Sequence, residues 1–308
     1  MLSPGASFLP SRSLGAGSRI ALIAPAGPLS GDSELQVALD NAARLGWDAV
    51  PGVSVSARDG YFAGRDEARL SDLRWAIEDE SIDGIWCVRG GYGATRLLPH
   101  IDMESVVRAN KPIIGFSDVT ALHALWQRAG AVSYHGPTAR AELSEFSRDA
   151  FVRAVQDVSS FTLSDANAVV IRGGKARGRL AGGNLALLSA LCGTPWQCDF
   201  RDAIVVIEDI GEAMYRIDRM LVQLRLANVF DGCAGLVFGQ FTSCPEEAGD
   251  GARTLRSLVV ETARAVGVPT LMSVPVGHIR DQWTLPFGCE CTLDADGQSL
   301  AIHRERGR

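Results

Sequence analysis

Pro112-Ile113-Ile114-Gly115-Phe116-Ser117-Asp118-Val119-Thr120-Ala121-Leu122-His123-Ala124-Leu125-Trp126 decides the fold. It opens as a short apolar run and turns at Gly115-Phe116-Ser117. It continues as an amphipathic helix, because Leu122, Leu125, Trp126 and Ala129 fall at i, i+3, i+4 and i+7 and Gly130 follows as a stop. Upstream the same alternation recurs. Arg19 to Ala24 is an apolar run that stops at Pro25, and Leu35, Ala38, Leu39, Ala42 and Leu45 keep helical spacing before Gly46. Asp48 to Val55 reads as a second strand, Leu70 to Ile77 as a helix, and Gly84 to Val88 as a third apolar run that ends in Arg89-Gly90-Gly91-Tyr92-Gly93. Repeated strand–helix units predict a parallel sheet covered by helices on both faces. Ligand sites in such sheets lie beyond the carboxyl ends of the strands, where both Ser117 and the glycine-rich loop fall.

After about residue 140 the pattern changes. Glu142 to Asp157 reads as a polar, mostly exposed helix, and Ala168–Arg172, Ala203–Ile207, Gly235–Phe241 and Cys289–Leu293 read as short strands. One helix with Ile217, Met220, Leu221 and Leu224 on one face intervenes. The expected division is a loose leader over 1–18, an α/β domain over 19–160 that carries Ser117, and a smaller β-rich domain over 161–308. The basic tail from His303 to Arg308 reads as solvated.

The chain has 308 residues and a formal net charge of −6, with its basic residues scattered. That distribution gives no nucleic-acid footprint and no reason for binding an anionic membrane. No run approaches the ~18 apolar residues of a membrane span, and Met1 to Gly17 lacks the apolar stretch of a signal peptide. Seven cysteines, an odd number without regular spacing, argue for free thiols in a reducing compartment, and their spacing offers no zinc site. The expectation is a cytoplasmic protein.

A serine at a strand-to-helix turn has its hydroxyl pushed outward, with free backbone N–H groups behind it that can stabilise an oxyanion. The string Gly115-Phe116-Ser117-Asp118-Val119 lacks the second glycine of a G-x-S-x-G elbow, so Ser117 reads equally as a helix N-cap. Arg89-Gly90-Gly91-Tyr92-Gly93 lacks the lysine of a phosphate-binding loop, but suits a second oxyanion donor. A serine nucleophile needs a histidine base and an orienting carboxylate. Of five histidines, His303 lies in the tail, His123 on the helix after Ser117 and His100 in a loop, which leaves His135 and His278. Glu208 and Asp209 close the apolar strand Ala203 to Ile207 and point to opposite faces, so one of them can reach an inward histidine while both can also be solvated or capping.

Taken together, the segments from about Ile20 to Thr292 resemble the LD-carboxypeptidase family of serine peptidases. The resemblance rests on Ile20 to Pro28, on Arg89-Gly90-Gly91-Tyr92-Gly93 with Arg96-Leu97-Leu98, and on Gly115 to Thr120. It extends through Gly136-Pro137, Gly182-Gly183-Asn184-Leu185, Gly193-Thr194-Pro195, Glu208-Asp209 with Tyr215 to Arg219, and Gly277-His278 with Leu285-Pro286-Phe287-Gly288. It departs between Pro195 and Ala203, where Cys198 stands and the expected glycine is missing. The resemblance implies a flavodoxin-like N-terminal domain with a β-rich C-terminal one. It implies Ser117 as nucleophile, His278 as base and Glu208 as acid, with an oxyanion hole from the N–H of Asp118 and of Gly90 or Gly91. It further implies a homodimer, no metal and no cofactor, and release of a terminal D-Ala from cell-wall tetrapeptides (muropeptides) in peptidoglycan recycling.

Arg89 and Arg280 each sit beside a catalytic loop, so either can receive the substrate's terminal carboxylate or be a surface residue. A sister branch resembles microcin C self-immunity peptidases, which cleave aminoacyl–nucleotide conjugates, and there Trp283 would stack on the base. A non-catalytic ligand-binding module on the same fold is the third alternative.

Overall fold

The computed structural model describes residue 9 and residues 12–157, 159–246, 249 and 251–304, and every element and count below refers to these. The chain divides into two compact units. One holds the described residues up to 157 together with Thr284–Gly288, and the other holds Ser159–Trp283 and Cys289–Arg304. The short return of 284–288 to the first unit has no counterpart in a single boundary near residue 160.

In the first unit, β1 (Arg19–Ile23), β2 (Asp48–Pro51), β3 (Gly84–Cys87), β4 (Ile113–Gly115) and β5 (Ser133–His135) are parallel. They alternate with α1 (Asp32–Arg44), α2 (Asp66–Glu78), α3 (Met103–Ala109) and α4 (Thr120–Ala129), and α5 (Glu145–Val155) follows. The strand order is β2-β1-β3-β4-β5, the flavodoxin-like order, and it reverses between β1 and β3. β3 and β4 are buried along their whole length, as strands covered on both faces must be. The strand read over 48–55 stops at Pro51, because the N–H groups of Val53 and Ser54 donate to the Asp72 carboxylate instead of to a ladder.

Two expectations change here. Glu145–Val155 is amphipathic rather than mostly exposed: Phe151 is fully buried and meets Trp47 and Trp86 in an aromatic cluster. Part of the supposed loose leader is packed, since Leu14 is fully buried, donates its N–H to Val155 O at 3.1 Å and accepts from Trp47 Nε1 at 2.8 Å. A single apolar residue among Ser and Gly gives no periodic signal, yet it fills a core site. Residues 1–8, 10 and 11 of that segment lie outside the described residues.

The second unit is built on β6 (Phe161–Ser164), β7 (Val169–Arg172), β8 (Lys175–Asn184), β9 (Ala203–Ile210), β10 (Gly235–Thr242) and β11 (Thr270–Met272). β12 (Leu285–Phe287) pairs antiparallel with β5 in the first unit's sheet, and β13 (Glu290–Asp294) and β14 (Ser299–His303) complete the second. The eight-stranded order is β6-β14-β13-β8-β9-β10-β11-β7, with β8 to β11 parallel to one another. β9 is apolar and β-branched with both faces buried, which suits a central strand. β8 escapes a propensity reading because of Gly178, Gly182 and Gly183. Tertiary packing requires the glycine, since a Cβ at Gly182 would stand 1.9 Å from Val206 O. Helices α6 (Leu185–Leu191), α7 (Met214–Leu226) and α8 (Leu255–Val266) flank the strands in sequence, and only α7 was expected. His303, read as part of a solvated tail, lies in β14 with its Nε2 2.8 Å from Thr292 Oγ1; residues 305–308 lie outside the described residues. None of the seven cysteines is in a disulfide among the described residues, and no described helix is long and apolar enough to cross a membrane.

Candidate active site

The turn after β4 holds Ser117 in a conformation that L-residues avoid. Phe116 is extended, Ser117 takes φ +65°, and a short 3-10 turn over Ser117–Val119 leads into α4. A non-glycine residue in the left-handed region costs about 1 kcal/mol or more, and such strain concentrates where a side chain must be aimed. Neither the 3-10 turn nor α4 receives a side-chain cap, so Ser117 is not serving as an N-cap.

The glycine-rich loop after β3 packs against this turn. A Cβ added to Gly90 would stand 2.9 Å from Ser117 Cβ and 3.3 Å from its Oγ, so position 90 admits no side chain. Gly91, at φ +107°, lies instead against Gly27. The Asp118 carboxylate ties the loop to the turn by accepting the Ala94 N–H at 2.8 Å. Burial pushes that carboxyl up to about 6, against the pull of the Ala94 and Gly93 N–H groups and of Arg69.

In the second unit, β9 presents its two terminal acids to opposite faces, as strand geometry requires. Glu208 is fully buried, and its Oε2 lies 2.8 Å from His278 Nδ1. A carboxylate accepts, so Nδ1 carries the proton and donates, which leaves the Nε2 lone pair as the basic site. Gly277, at φ +118°, makes this contact possible: a Cβ there would lie 2.8 Å from Glu208 Oε2. β10 holds the histidine loop, with Gln240 N–H donating to Val276 O and Thr242 Oγ1 donating to His278 O. Asp209 accepts from Asn184 Nδ2, Ala186 N–H and Ile210 N–H, and so anchors the first turn of α6. Its carboxyl is pushed up to about 6, chiefly by burial, with the Glu208 charge adding to the rise.

The remaining sequence candidates fall into place by burial. His123 is buried, its Nε2 2.9 Å from Gly115 O, and burial holds its imidazole down at about 4. His135 is fully buried among the rings of Phe116, His123 and Phe287, and it is His278 whose Nδ1 meets the Glu208 carboxylate. His100 is exposed. Arg280 is exposed beside His278, and Arg89 is half-buried beside the Gly90 turn. Trp283 is 3% exposed, so it has no open ring face for a nucleotide base, and the stacking role is withdrawn. The sequence reading passed over Arg58, Arg140 and Glu34, which surround Arg89. Their signal was available only as position, since they flank the loops leaving β1, β2 and β5.

Two family models match the chain: the LD-carboxypeptidase N-terminal domain over residues 20–136 and the LD-carboxypeptidase C-terminal domain over 177–293. The murein tetrapeptide carboxypeptidase of Pseudomonas aeruginosa is 33% identical over 290 residues, covering 90% of this chain and 94% of that protein. The crystal structure of a muramoyltetrapeptide carboxypeptidase from Oxalobacter formigenes superposes with a TM-score of 0.84 at 29% identity, over 94% of this chain and all of that one. The self-immunity protein MccF, in complex with glutamyl sulfamoyl guanosine, shares the fold with a TM-score of 0.87 at 21% identity, covering 96% of this chain and 99% of that one. The chain belongs to the LD-carboxypeptidase family and is a serine-type carboxypeptidase.

Proposed function

We propose that Ser117, His278 and Glu208 are the catalytic triad of an L,D-carboxypeptidase that releases the terminal D-Ala of cell-wall tetrapeptides. The observation that carries this reading is the pairing of a fully buried Glu208 with His278 Nδ1 at 2.8 Å, in a chain that holds Ser117 at φ +65° in the turn between β4 and α4. A buried carboxylate is costly unless paired, and this pairing sets the tautomer that a general base needs. His278 Nε2 takes the Ser117 Oγ proton as the oxygen attacks the scissile carbonyl. The N–H of Asp118 and of Gly90 or Gly91 receives the oxyanion, and the contact of Gly90 with Ser117 favours Gly90. The imidazolium, stabilised by Glu208, returns its proton to the departing D-Ala amine. Water then hydrolyses the acyl-enzyme with His278 again as base. The named murein and muramoyltetrapeptide carboxypeptidases among its relatives support the substrate class. We also propose a cytoplasmic role in peptidoglycan recycling, as a homodimer.

The test is release of free D-Ala from a muropeptide tetrapeptide by wild type and by Ser117→Ala. Release by wild type that is lost in the variant is the expected result. Equal release from both would remove Ser117 as nucleophile.

A further inference from the structure

The reversal of strand order between β1 and β3 marks the crevice where open α/β sheets receive ligands. The loops leaving these two strands meet there, with Gly27 N–H donating to Gly90 O at 2.9 Å. Three guanidinium groups gather on the β1 loop. Arg89 Nη1 donates to Pro28 O, and Arg58 Nη2 donates to the next carbonyl, Leu29 O, at 2.8 Å. Arg140 follows β5, and its N–H donates to Val88 O at 3.4 Å, which places it beside Arg89. Its Nη1 pairs with Glu34, in the first turn of α1. No side chain caps that turn, and Glu34 Oε2 accepts the N–H of Ser30, just ahead of the helix, at 2.6 Å. Arg140 and Arg89 therefore share one carboxylate, and Arg58 adds a third positive charge beside Arg89. Burial, with Arg140 and Arg58 as like charges, lowers the pKa of Arg89; against the upward push of burial, the Ser30 N–H, Arg140 and Arg89 hold Glu34 in its ionised form. Arg89 and Arg140 are half-buried and Arg58 is exposed, so the cluster is open to a solute.

We propose that Arg58, Arg89 and Arg140 form a receptor for a carboxylate of the peptide substrate, and that Glu34 is its resident anion, competing with that carboxylate for Arg140. The receptor deepens the peptidase reading above and rests on it for the substrate. Its position fits that use: Arg89 directly precedes Gly90, whose Cα faces Ser117. Guanidinium groups pair with carboxylates by charge-assisted, often bidentate bonds, each worth about 10- to 100-fold in binding. A tetrapeptide ending in a diaminodicarboxylic acid and D-Ala offers two such groups, the terminal carboxylate and the side-chain carboxylate of the diaminodicarboxylic acid.

The experiment compares the tetrapeptide acid with two analogues, one amidated at its terminus and one with lysine in place of the diaminodicarboxylic acid. Arg140→Gln and Arg58→Gln are expected to raise KM for the acid about tenfold or more, with kcat nearly unchanged. The analogue that loses the bound carboxylate should be poor for wild type and suffer little further loss in the variants, which identifies the group received. Glu34→Gln keeps an acceptor for Ser30 N–H and is expected to lower KM several-fold, an effect that a purely structural ion pair would not give. Equal losses for the acid and both analogues in the arginine variants, or an unchanged or raised KM in Glu34→Gln, would overturn the receptor. If wild type releases no D-Ala, the peptidase reading fails by itself. The receptor is then tested by calorimetric titration with N-acetyl-D-alanine and its amide. Preference for the acid, diminished in Arg140→Gln, supports it, and equal binding of both or of neither overturns it.

Discussion

Glu208→Gln separates the charge of the proposed acid from its shape. Glu208 is fully buried, its Oε2 holds His278 Nδ1 at 2.8 Å, and its Oε1 has no hydrogen-bond partner among the described residues. Glutamine keeps the volume. With its carbonyl toward Nδ1 it preserves the hydrogen bond but removes the charge that stabilises the imidazolium; with its amide toward Nδ1 it forces the proton onto Nε2 and abolishes the base. Either way kcat is expected to fall roughly a thousand- to ten-thousand-fold, as when the orienting acid of a serine triad is neutralised. At about 1.4 kcal/mol per tenfold, that is a loss of about 4–5 kcal/mol of transition-state stabilisation. Folding stability should move little. Burying an ionised carboxylate is expensive, and the desolvation relieved by the amide is offset by an N–H that finds no acceptor, so the unfolding free energy should stay within about 1 kcal/mol of wild type. The assay is D-Ala release under saturating tetrapeptide, paired with urea unfolding of both proteins. A variant that keeps more than a tenth of wild-type kcat would refute the role of Glu208. A variant that loses activity together with several kcal/mol of stability would show that the pair is structural.

Two further outcomes follow from the same geometry. Ser117→Gly should be about 1 kcal/mol more stable than Ser117→Ala, because only glycine relieves the left-handed φ at this turn, while both are inactive; equal stabilities by urea unfolding would mean the turn is unstrained. His123 is held neutral, its pKa lowered from 6.5 to about 4, so folding opposes its protonation: the associated stability is full above pH 6.5 and is lost as pH falls through 4. His123→Gln retains a donor for Gly115 O and should therefore gain about 2 kcal/mol relative to wild type between pH 7.5 and pH 5, and about 3 kcal/mol by pH 4. Parallel pH profiles for the two proteins would contradict a buried neutral imidazole.

Much of the first unit was legible from local pattern. β3 and β4 are continuous apolar runs, α1 and α4 carry clean helical spacing, and a strand running straight into a helix at Ser117 requires a turn that exposes the hydroxyl. Glu208 was legible as a carboxylate closing a buried strand, a placement that demands a partner. The alternation of strands and helices implied a parallel sheet, and the strand-end positions of Ser117 and Gly90 implied where a ligand would be received.

What the sequence left open depends on contacts between residues far apart along the chain, which no local pattern encodes. His278 is proposed over His135 as base on its contact with Glu208, 70 residues away. The division of labour between Glu208 and Asp209 depended on which face of β9 carries α6 and which carries the loop at Gly277. β8 is a strand in spite of its glycines, because the Val206 backbone comes too close for a Cβ. Leu14 is core in spite of its surroundings, because Trp47 and Val155 receive it. The arginine cluster exists only because the loops after β1 and β3 meet where the sheet order reverses, bringing Arg58, Arg89 and Arg140 together from three separate segments. The sequence by itself determined which segments could be strands, helices and turns, since those follow from short-range sterics and side-chain periodicity. The tertiary structure decided which polar groups are desolvated together, because burial and charge pairing depend on distance in space.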